Sequence, residues 1–341
     1  MATRGKAAAS TPDVPRNTIL EGDALSVLRG LPSRSVQCVI TSPPYYGLRD
    51  YGTPGQYGLE PTLDGYLDRM VAVFDEVFRV LRPDGVCWLN IGDSYAAPAP
   101  CDRRNLVGNG SPNEEMQRRS RLSGSIKNKD LMLVPFRLAL ALQTAGWWVR
   151  QTIIWHKPAP MPESVTDRCT TAHEYIFLLT RSERYYYDAA AIAEPAVIGA
   201  NGSVFTTGKT ALDGRRAVGQ GPRIDHATRN RRSVWTVNTE PFPDAHYAVF
   251  PTALITPMVL AGSRSGDLVL DPFMGSGTVG VVASQHGRDW LGIELNHEYA
   301  DMARQRIAEE GRPVVLPRKQ RQQMRAKGVT QASLLESEAS A

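Results

Sequence analysis

The sequence predicts an α/β fold organised around a mostly parallel, doubly wound sheet. Two observations carry that expectation. Apolar runs of strand length alternate with longer runs of helical spacing along most of the 341 residues, as when parallel strands are joined by crossover helices. Two of those runs also end in turns of unusual composition, Thr41-Ser42-Pro43-Pro44-Tyr45 and Asp271-Pro272-Phe273-Met274-Gly275-Ser276-Gly277-Thr278. In such sheets ligands bind at the carboxyl ends of the strands.

Residues 1–16 are small and polar and read as a disordered arm. Thr18-Ile19-Leu20 is a short strand running into Glu21-Gly22-Asp23, and Ala24 to Leu31 has helical spacing broken by Pro32-Ser33. Val36 to Ile40 is a buried-strand run that stops at the proline pair. Leu63 to Leu81 places Leu63, Leu67, Met70, Val71, Phe74, Val77, Phe78 and Leu81 on one helical face, closed by Arg82-Pro83-Asp84-Gly85. Val86 to Ile91 is the next strand. Residues 96–129 turn polar and basic and read as a long loop, of a kind that is usually functional or disordered.

Leu131 to Ala145 is a second helix, followed by strands at Val149 to Trp155 and Glu174 to Thr180. Tyr185-Tyr186-Tyr187 reads as the start or the extension of a neighbouring hairpin. Residues 189–246 lose periodicity and carry many Gly and Arg. Order returns with a helix at Pro251 to Ala261, a strand at Leu268 to Leu270, a helix at Val279 to Gln285, a strand at Trp290 to Ile293 and a helix from His297 to Glu310. The tail beyond Arg312 is basic, then rich in Ser and Glu, and reads as frayed.

Composition narrows the function classes. Hydrophobic residues make up 42% and charged residues 22%, ordinary for a soluble enzyme, and the net charge of +4 does not by itself imply nucleic acid. Cys38, Cys87, Cys101 and Cys169 form no C-x-x-C pair, which argues against a disulfide framework or zinc site and suits a reducing cytoplasm. The 6 histidines show no ligand spacing, so no metal is expected. The first residues lack an apolar signal core, and no uninterrupted apolar stretch approaches membrane-spanning length.

The glycine turn after Asp271 permits a tight bend and close backbone approach, and the following helix start favours an anionic group. Glu294 ends the next strand, at the spacing where an acid commonly takes ribose hydroxyls. The turn matches neither G-x-G-x-x-G nor a P-loop, which favours an adenosine-containing cofactor other than NAD or ATP. At the earlier corner, Ser42 offers a hydroxyl acceptor and Pro43 a carbonyl held in a fixed direction. Two acceptors can grip both hydrogens of an exocyclic amine, while Tyr45 offers a flat face for a base. An amine inside a duplex is out of reach, so the base must be flipped or unpaired.

These paired motifs, in this order, resemble the amino-group DNA methyltransferases of the circularly permuted beta class, over about residues 17 to 310. The resemblance implies a Rossmann-like class I methyltransferase fold with an inserted target-recognition region, and S-adenosylmethionine as cofactor. It divides the chain into a target-base half at 17–188, a target-recognition insert at 189–245 and a cofactor half at 246–311, with a flexible tail at 312–341. Ser42, Pro43, Pro44 and Tyr45 would hold the target base. Asp271, Phe273, Gly275, Ser276, Gly277 and Thr278 would surround the methionine part of the cofactor, Glu294 its ribose and Asp23 its adenine. His246-Tyr247-Ala248-Val249-Phe250-Pro251 falls where the family keeps another cofactor segment. A Ser at position 42 favours cytosine N4 as the target, with adenine N6 the alternative, since an Asp there is more usual for adenine.

Basic residues gather in the two aperiodic regions, among them Arg118, Arg119, Arg215, Arg216, Arg231 and Arg232. Taken singly each reads as solvated surface; as a set they read as contacts to double-stranded DNA. Trp155-His156-Lys157-Pro158 ends a strand at the same edge and could line the base pocket. A homodimer and a cognate restriction endonuclease are candidate partners, in a cytoplasmic setting without membrane attachment. RNA or protein-amide methyltransferases are a competing class, usually with Asn in place of Ser42. A binding module with a decayed site is another, against which stand the intact Ser42, Tyr45, Asp271 and Glu294.

Overall fold

A computed structural model of the chain describes residues 14–97, 125–195, 228–240 and 250–312. In chain order the elements are β1 (Thr18–Glu21), α1 (Ala24–Gly30), β2 (Val36–Thr41), α2 (Leu63–Val80), β3 (Leu81–Ile91), α3 (Val134–Thr144), β4 (Trp148–His156) and β5 (His173–Thr180). There follow β6 (Glu194–Pro195), β7 (Thr228–Arg229), β8 (Val234–Thr236), α4 (Thr252–Gly262), β9 (Leu268–Asp271), α5 (Thr278–Gln285), β10 (Asp289–Glu294) and α6 (His297–Glu310). Residues 14–188 and 232–312 belong to one compact unit; 189–195 and 228–231, with the β6–β7 pair, belong to a second.

The main unit holds an eight-stranded sheet in the order β1-β10-β9-β2-β3-β5-β4-β8. Only β5 runs antiparallel to its neighbours β3 and β4; the remaining pairs are parallel. From β2 the chain crosses through α2 to β3 on one side, and from β9 it crosses through α5 to β10 on the other. The crevice between β2 and β9 is therefore a topological switch point, where open α/β sheets bind ligands.

Both sheet faces are covered, and strand alternation decides which side chain goes where. Val39, Cys87, Leu89 and Leu270 share a core with α1, α2 and α3. Cys38, Val86 and Trp88 lie under α4, so close that a Cβ on Gly262 would come within 2.7 Å of the Cys38 sulfur. The stripe Leu63, Tyr66, Met70, Val73, Phe74, Val77 and Val80 buries one face of α2, each side chain gaining about 1.5–3 kcal/mol before ordering costs. Helix α4 is buried along nearly its whole length, which explains why it lacks a polar face.

Three expectations need correction. Strand β3 starts at Leu81, and Arg82-Pro83-Asp84-Gly85 forms an irregularity within it, because the partner register jumps from Val36–Leu81 to Cys38–Val86. Helix α3 starts three residues late: Leu131 bridges to Tyr95, and Leu133 sits in the left-handed region at φ 56°. Tyr185-Tyr186-Tyr187 belongs to no strand; Tyr186 N–H donates to the Asp84 carbonyl and Tyr187 packs beside Trp88. Cys38, Cys87 and Cys169 are unpaired thiols. Among the described residues no helix is long and apolar enough to cross a membrane.

Candidate active site

Strands β2 and β9 lie side by side, with Val39 opposite Leu270. The corners that follow them consequently open at one edge, although they are far apart in sequence. They are also joined directly, the Thr41 hydroxyl donating to Asp271 Oδ1 at 2.7 Å. Ser42, Pro43, Pro44 and Tyr45 line a single cleft together with Asp271, Phe273, Gly275, Ser276, Thr278 and Glu294. The separated signatures thus form one site.

At the cofactor corner the backbone does most of the holding. Gly275 (φ 51°) and Gly277 (φ 83°) both adopt left-handed conformations, which cost little only without a Cβ. At Gly277 a Cβ would also meet Ala303 of α6 at 2.9 Å. Gly277 therefore sits behind the turn, while Gly275 faces the cleft. Glu294 accepts from Gly275 N at 2.8 Å and from Asn296 N at 2.9 Å, and burial pushes its carboxyl above the ordinary range. Asp271 accepts from Phe273 N at 3.0 Å. Burial raises its carboxyl to about 7, against the opposing bonds from Thr41 and Phe273. Arg306, nearly buried, braces the turn by donating to Ser276 Oγ at 3.1 Å and Thr278 Oγ1 at 2.9 Å.

The target-base corner is assembled from side chains. Proline ends β2 by removing ladder donors, and Tyr66 of α2 donates to the Pro44 carbonyl at 2.9 Å, fixing the turn. Tyr45 Oη lies 3.1 Å from Ser42 Oγ, 2.7 Å from Glu174 Oε2 and 2.6 Å from Asn90 Nδ2. Asn90 also donates to Glu174 at 2.8 Å, and Lys157 pairs with the other Glu174 oxygen. Burial and then the Glu174 charge push the Tyr45 phenol up, so it stays protonated. The ring passes over Gly92, where a Cβ would come within 2.7 Å of it.

Asp23 is placed differently from its neighbours in the motif. Its carboxylate caps α1 by accepting from Ser26 N at 2.9 Å, and it accepts from Tyr57 Oη at 2.8 Å, while Gly22 and Ala24 on either side line the cleft. Trp155 and Lys157 line the cleft as well, with Lys157 4.4 Å above the indole ring. Trp155 is also core, 3% exposed, with its N–H donated to the Val237 carbonyl. His156 points elsewhere, toward Thr236. Arg231 and Arg232 lead into the edge strand β8, which pairs with the end of β4. Arg118, Arg119, Arg215, Arg216 and the stretch His246 to Val249 lie outside the described residues, as do most of the arm, the polar loop and the tail.

The sequence alone does not mark Asn90, Glu174 or Arg306, and it marks Thr41 only as the first residue of its motif. Asn90 carried a signal, as an amide inside an otherwise apolar strand. Glu174 carried none, since an acid opening a strand ordinarily reads as solvated. Arg306 looks like any charge on an amphipathic helix.

The residues present fit a cationic, ribose-bearing cofactor: one buried and one part-buried carboxylate, both with raised affinity for protons, face a cleft where Gly275 leaves the backbone bare. A family model described as DNA methylase, of the N6/N4 type, matches residues 36–305. The type II methyltransferase M.Cfr9I of Citrobacter freundii is 48% identical over 87% of this chain and 90% of its own length. M.SmaI of Serratia marcescens is 47% identical over 85% of this chain and 90% of its own length. Among solved structures, PvuII DNA methyltransferase (cytosine-N4-specific) aligns with a TM-score of 0.57 at 18% identity, over 86% of this chain and 90% of that one. A Thermus thermophilus protein complexed with S-adenosyl-L-methionine aligns with a TM-score of 0.53 at 27% identity, over 86% of this chain and 95% of that one. The chain belongs to the N6/N4 family of DNA methylases.

Proposed function

We propose that this protein is a site-specific methyltransferase that modifies the exocyclic amine of a base flipped out of double-stranded DNA, with cytosine N4 as the target. The observation that carries the reading is the shared cleft of the two corners, tied by the Thr41–Asp271 hydrogen bond of 2.7 Å. S-adenosylmethionine supplies, when bound, a methyl group made electrophilic by its sulfonium. Asp271 faces the cationic part of the methionine moiety, and Glu294 takes the ribose hydroxyls with the lone pairs left over from Gly275 and Asn296. Phe273 gives an apolar wall, Gly275, Ser276 and Thr278 line the turn, and Gly277 lets it pack on α6. Asp23 supports the adenine end by fixing Tyr57, which meets Phe273 edge-on at 5.5 Å.

At the other corner, Ser42 Oγ and the Pro43 carbonyl accept the two amine hydrogens. This draws the nitrogen lone pair out of ring conjugation and toward the methyl donor, with no prior deprotonation. Because Tyr66 occupies the Pro44 carbonyl, the neighbouring Pro43 carbonyl is the one aimed at substrate. Pro44 holds the bend, and Tyr45 supports the base. Trp155 and Lys157 close the far wall.

Residues 189–245 serve target recognition, with Arg231 and Arg232 following phosphates beside β8 and Arg118, Arg119, Arg215 and Arg216 contributing from the aperiodic regions. The setting is a bacterial cytoplasm, with a cognate restriction endonuclease and a homodimer as partners; the type II names of the relatives support the first of these.

The test is to incubate the protein with duplex DNA and labelled S-adenosylmethionine, digest to nucleosides and identify the labelled one. N4-methylcytosine is expected. N6-methyladenine would move the target to the other amine while keeping the mechanism, and an unlabelled nucleoside pool would sink the reading.

A further inference from the structure

We propose that Glu174, held by Lys157, is a positioning residue that acts through Tyr45: it turns the Ser42 hydroxyl proton away from the target amine and receives the proton that the amine sheds. The proposal rests on the amino-methylation reading above. It follows from counting donors. An ionised carboxylate only accepts, so the single phenolic proton of Tyr45 must go to Glu174 Oε2, 2.7 Å away. With that proton committed, Tyr45 Oη can meet its other two neighbours only as an acceptor. Asn90 Nδ2, at 2.6 Å, has protons to give. Ser42 Oγ, at 3.1 Å, must therefore give its own.

The consequence lies at the cleft. With its proton turned inward, Ser42 presents lone pairs to the substrate, which is what gripping an amine N–H requires. Were Glu174 replaced by an amide, an N–H could face Tyr45, whose proton would then turn to Ser42. The Ser42 proton would swing into the cleft against the amine hydrogens. Lys157, bound to the second Glu174 oxygen and resting over Trp155 at 4.4 Å, keeps the carboxylate in place.

The same chain disposes of a proton. Once the N–C bond has formed, with the methyl carbon–sulfur bond broken and its electron pair left on sulfur, the amine nitrogen is positively charged and still carries two hydrogens. One N–H bond breaks, its electron pair stays on nitrogen, and the proton passes to Ser42 Oγ. The Ser42 proton moves to Tyr45, and the Tyr45 proton to Glu174 Oε2. The methylated amine becomes neutral and Glu174 gains one proton, returned to water after product leaves.

Glu174→Gln and Tyr45→Phe test this in the full-length protein under single-turnover conditions. Each variant is expected to slow methyl transfer by about tenfold to hundredfold, with KM for DNA and for cofactor changed less than about threefold. Because Glu174 acts through Tyr45, the double variant is expected to be no slower than Tyr45→Phe alone. A Glu174→Gln rate within threefold of the parent overturns the proposal, and so does an effect that multiplies in full with that of Tyr45→Phe. Should Glu174→Gln not fold by circular dichroism, Tyr45→Phe decides alone, since it keeps the ring and removes only the relay oxygen; an unchanged rate overturns the proposal. Labelled nucleoside from the parent protein separates this outcome from failure of the methyltransferase reading itself.

Discussion

The two corners of the cleft are built by different means. At the cofactor corner the backbone contacts join near neighbours: Phe273 N to Asp271 and Asn296 N to Glu294 span 2 residues each, and Gly275 N to Glu294 spans 19. Backbone N–H groups do most of the holding, glycine supplies the conformation, and Thr41 and Arg306 brace the turn from elsewhere in the chain. At the target-base corner, Asn90 reaches Tyr45 across 45 residues and Tyr45 reaches Glu174 across 129. There side chains from β3, β5 and the end of β4 converge on a phenol and a serine. A turn that binds through its backbone can be carried by a short local motif. A polarised hydroxyl needs partners that only a sheet can bring together.

That contrast predicts effects that separate cleanly. The largest is at the side-chain corner: Ser42→Ala removes one of the two amine acceptors and should lower kcat about 10²-fold, by analogy with the loss of one electrostatic partner at a reacting centre. Cofactor affinity measured by titration calorimetry should stay within about twofold; a loss of affinity in that variant would erase the distinction between the corners. Glu294→Gln should do the reverse. It sets an NH₂ against a backbone N–H and should weaken cofactor binding by at least about tenfold, with the rate at saturating cofactor little changed.

A smaller effect concerns pH. Burial raises the Asp271 carboxyl to about 7 in the cofactor-free protein, and a cationic cofactor requires its charged form. Cofactor Kd should rise by up to about tenfold between about pH 8 and about pH 6, and Asp271→Asn should flatten that profile while weakening binding. The sign for folding is opposite to that of a salt-bridged acid. Because the folded value lies above the unfolded one, this group's contribution to stability is full below the unfolded pKa and is lost as pH rises through about 7. The cofactor-free Tm should accordingly gain from this group on acidification, and Asp271→Asn should remove the gain.

The smallest expected effect lies outside both corners. Replacing Arg231 and Arg232 with Gln should weaken DNA binding severalfold and reduce the slope of log K against log salt by about 1 for each phosphate left without its arginine. Gel-shift titrations across salt concentrations with an unchanged slope would remove these arginines from the interface and leave the two corners as the only tested parts of the site.

Much of the architecture was legible along the chain. The strands at 36–41 and 268–271 and the helix at 63–80 stood out because their burial follows directly from apolar spacing. The start of β3 did not: Pro83 and Gly85 locally favour a turn, and pairing with Val36 is what draws Leu81 into the strand. Leu131 to Leu133 has the spacing of a helix, yet its backbone is diverted to bridge Tyr95. Among the residues that line the cleft, Ser42, Tyr45, Asp271 and Glu294 stand out by motif and spacing. Glu174 and Arg306 could not, because a charged side chain betrays nothing of its environment until the surrounding elements close over it.

Periodicity, proline and glycine act over a few residues, so they mark most of the strands and helices and the positions of the two turns along the chain. That those turns meet at one sheet edge, after β2 and β9, and that Asn90, Lys157 and Glu174 surround the first of them, follows from how the sheet assembles. The reason is physical: local backbone preference is set by neighbouring atoms, whereas the direction of a hydroxyl proton is set by whichever donors and acceptors the packed sheet places within hydrogen-bond reach.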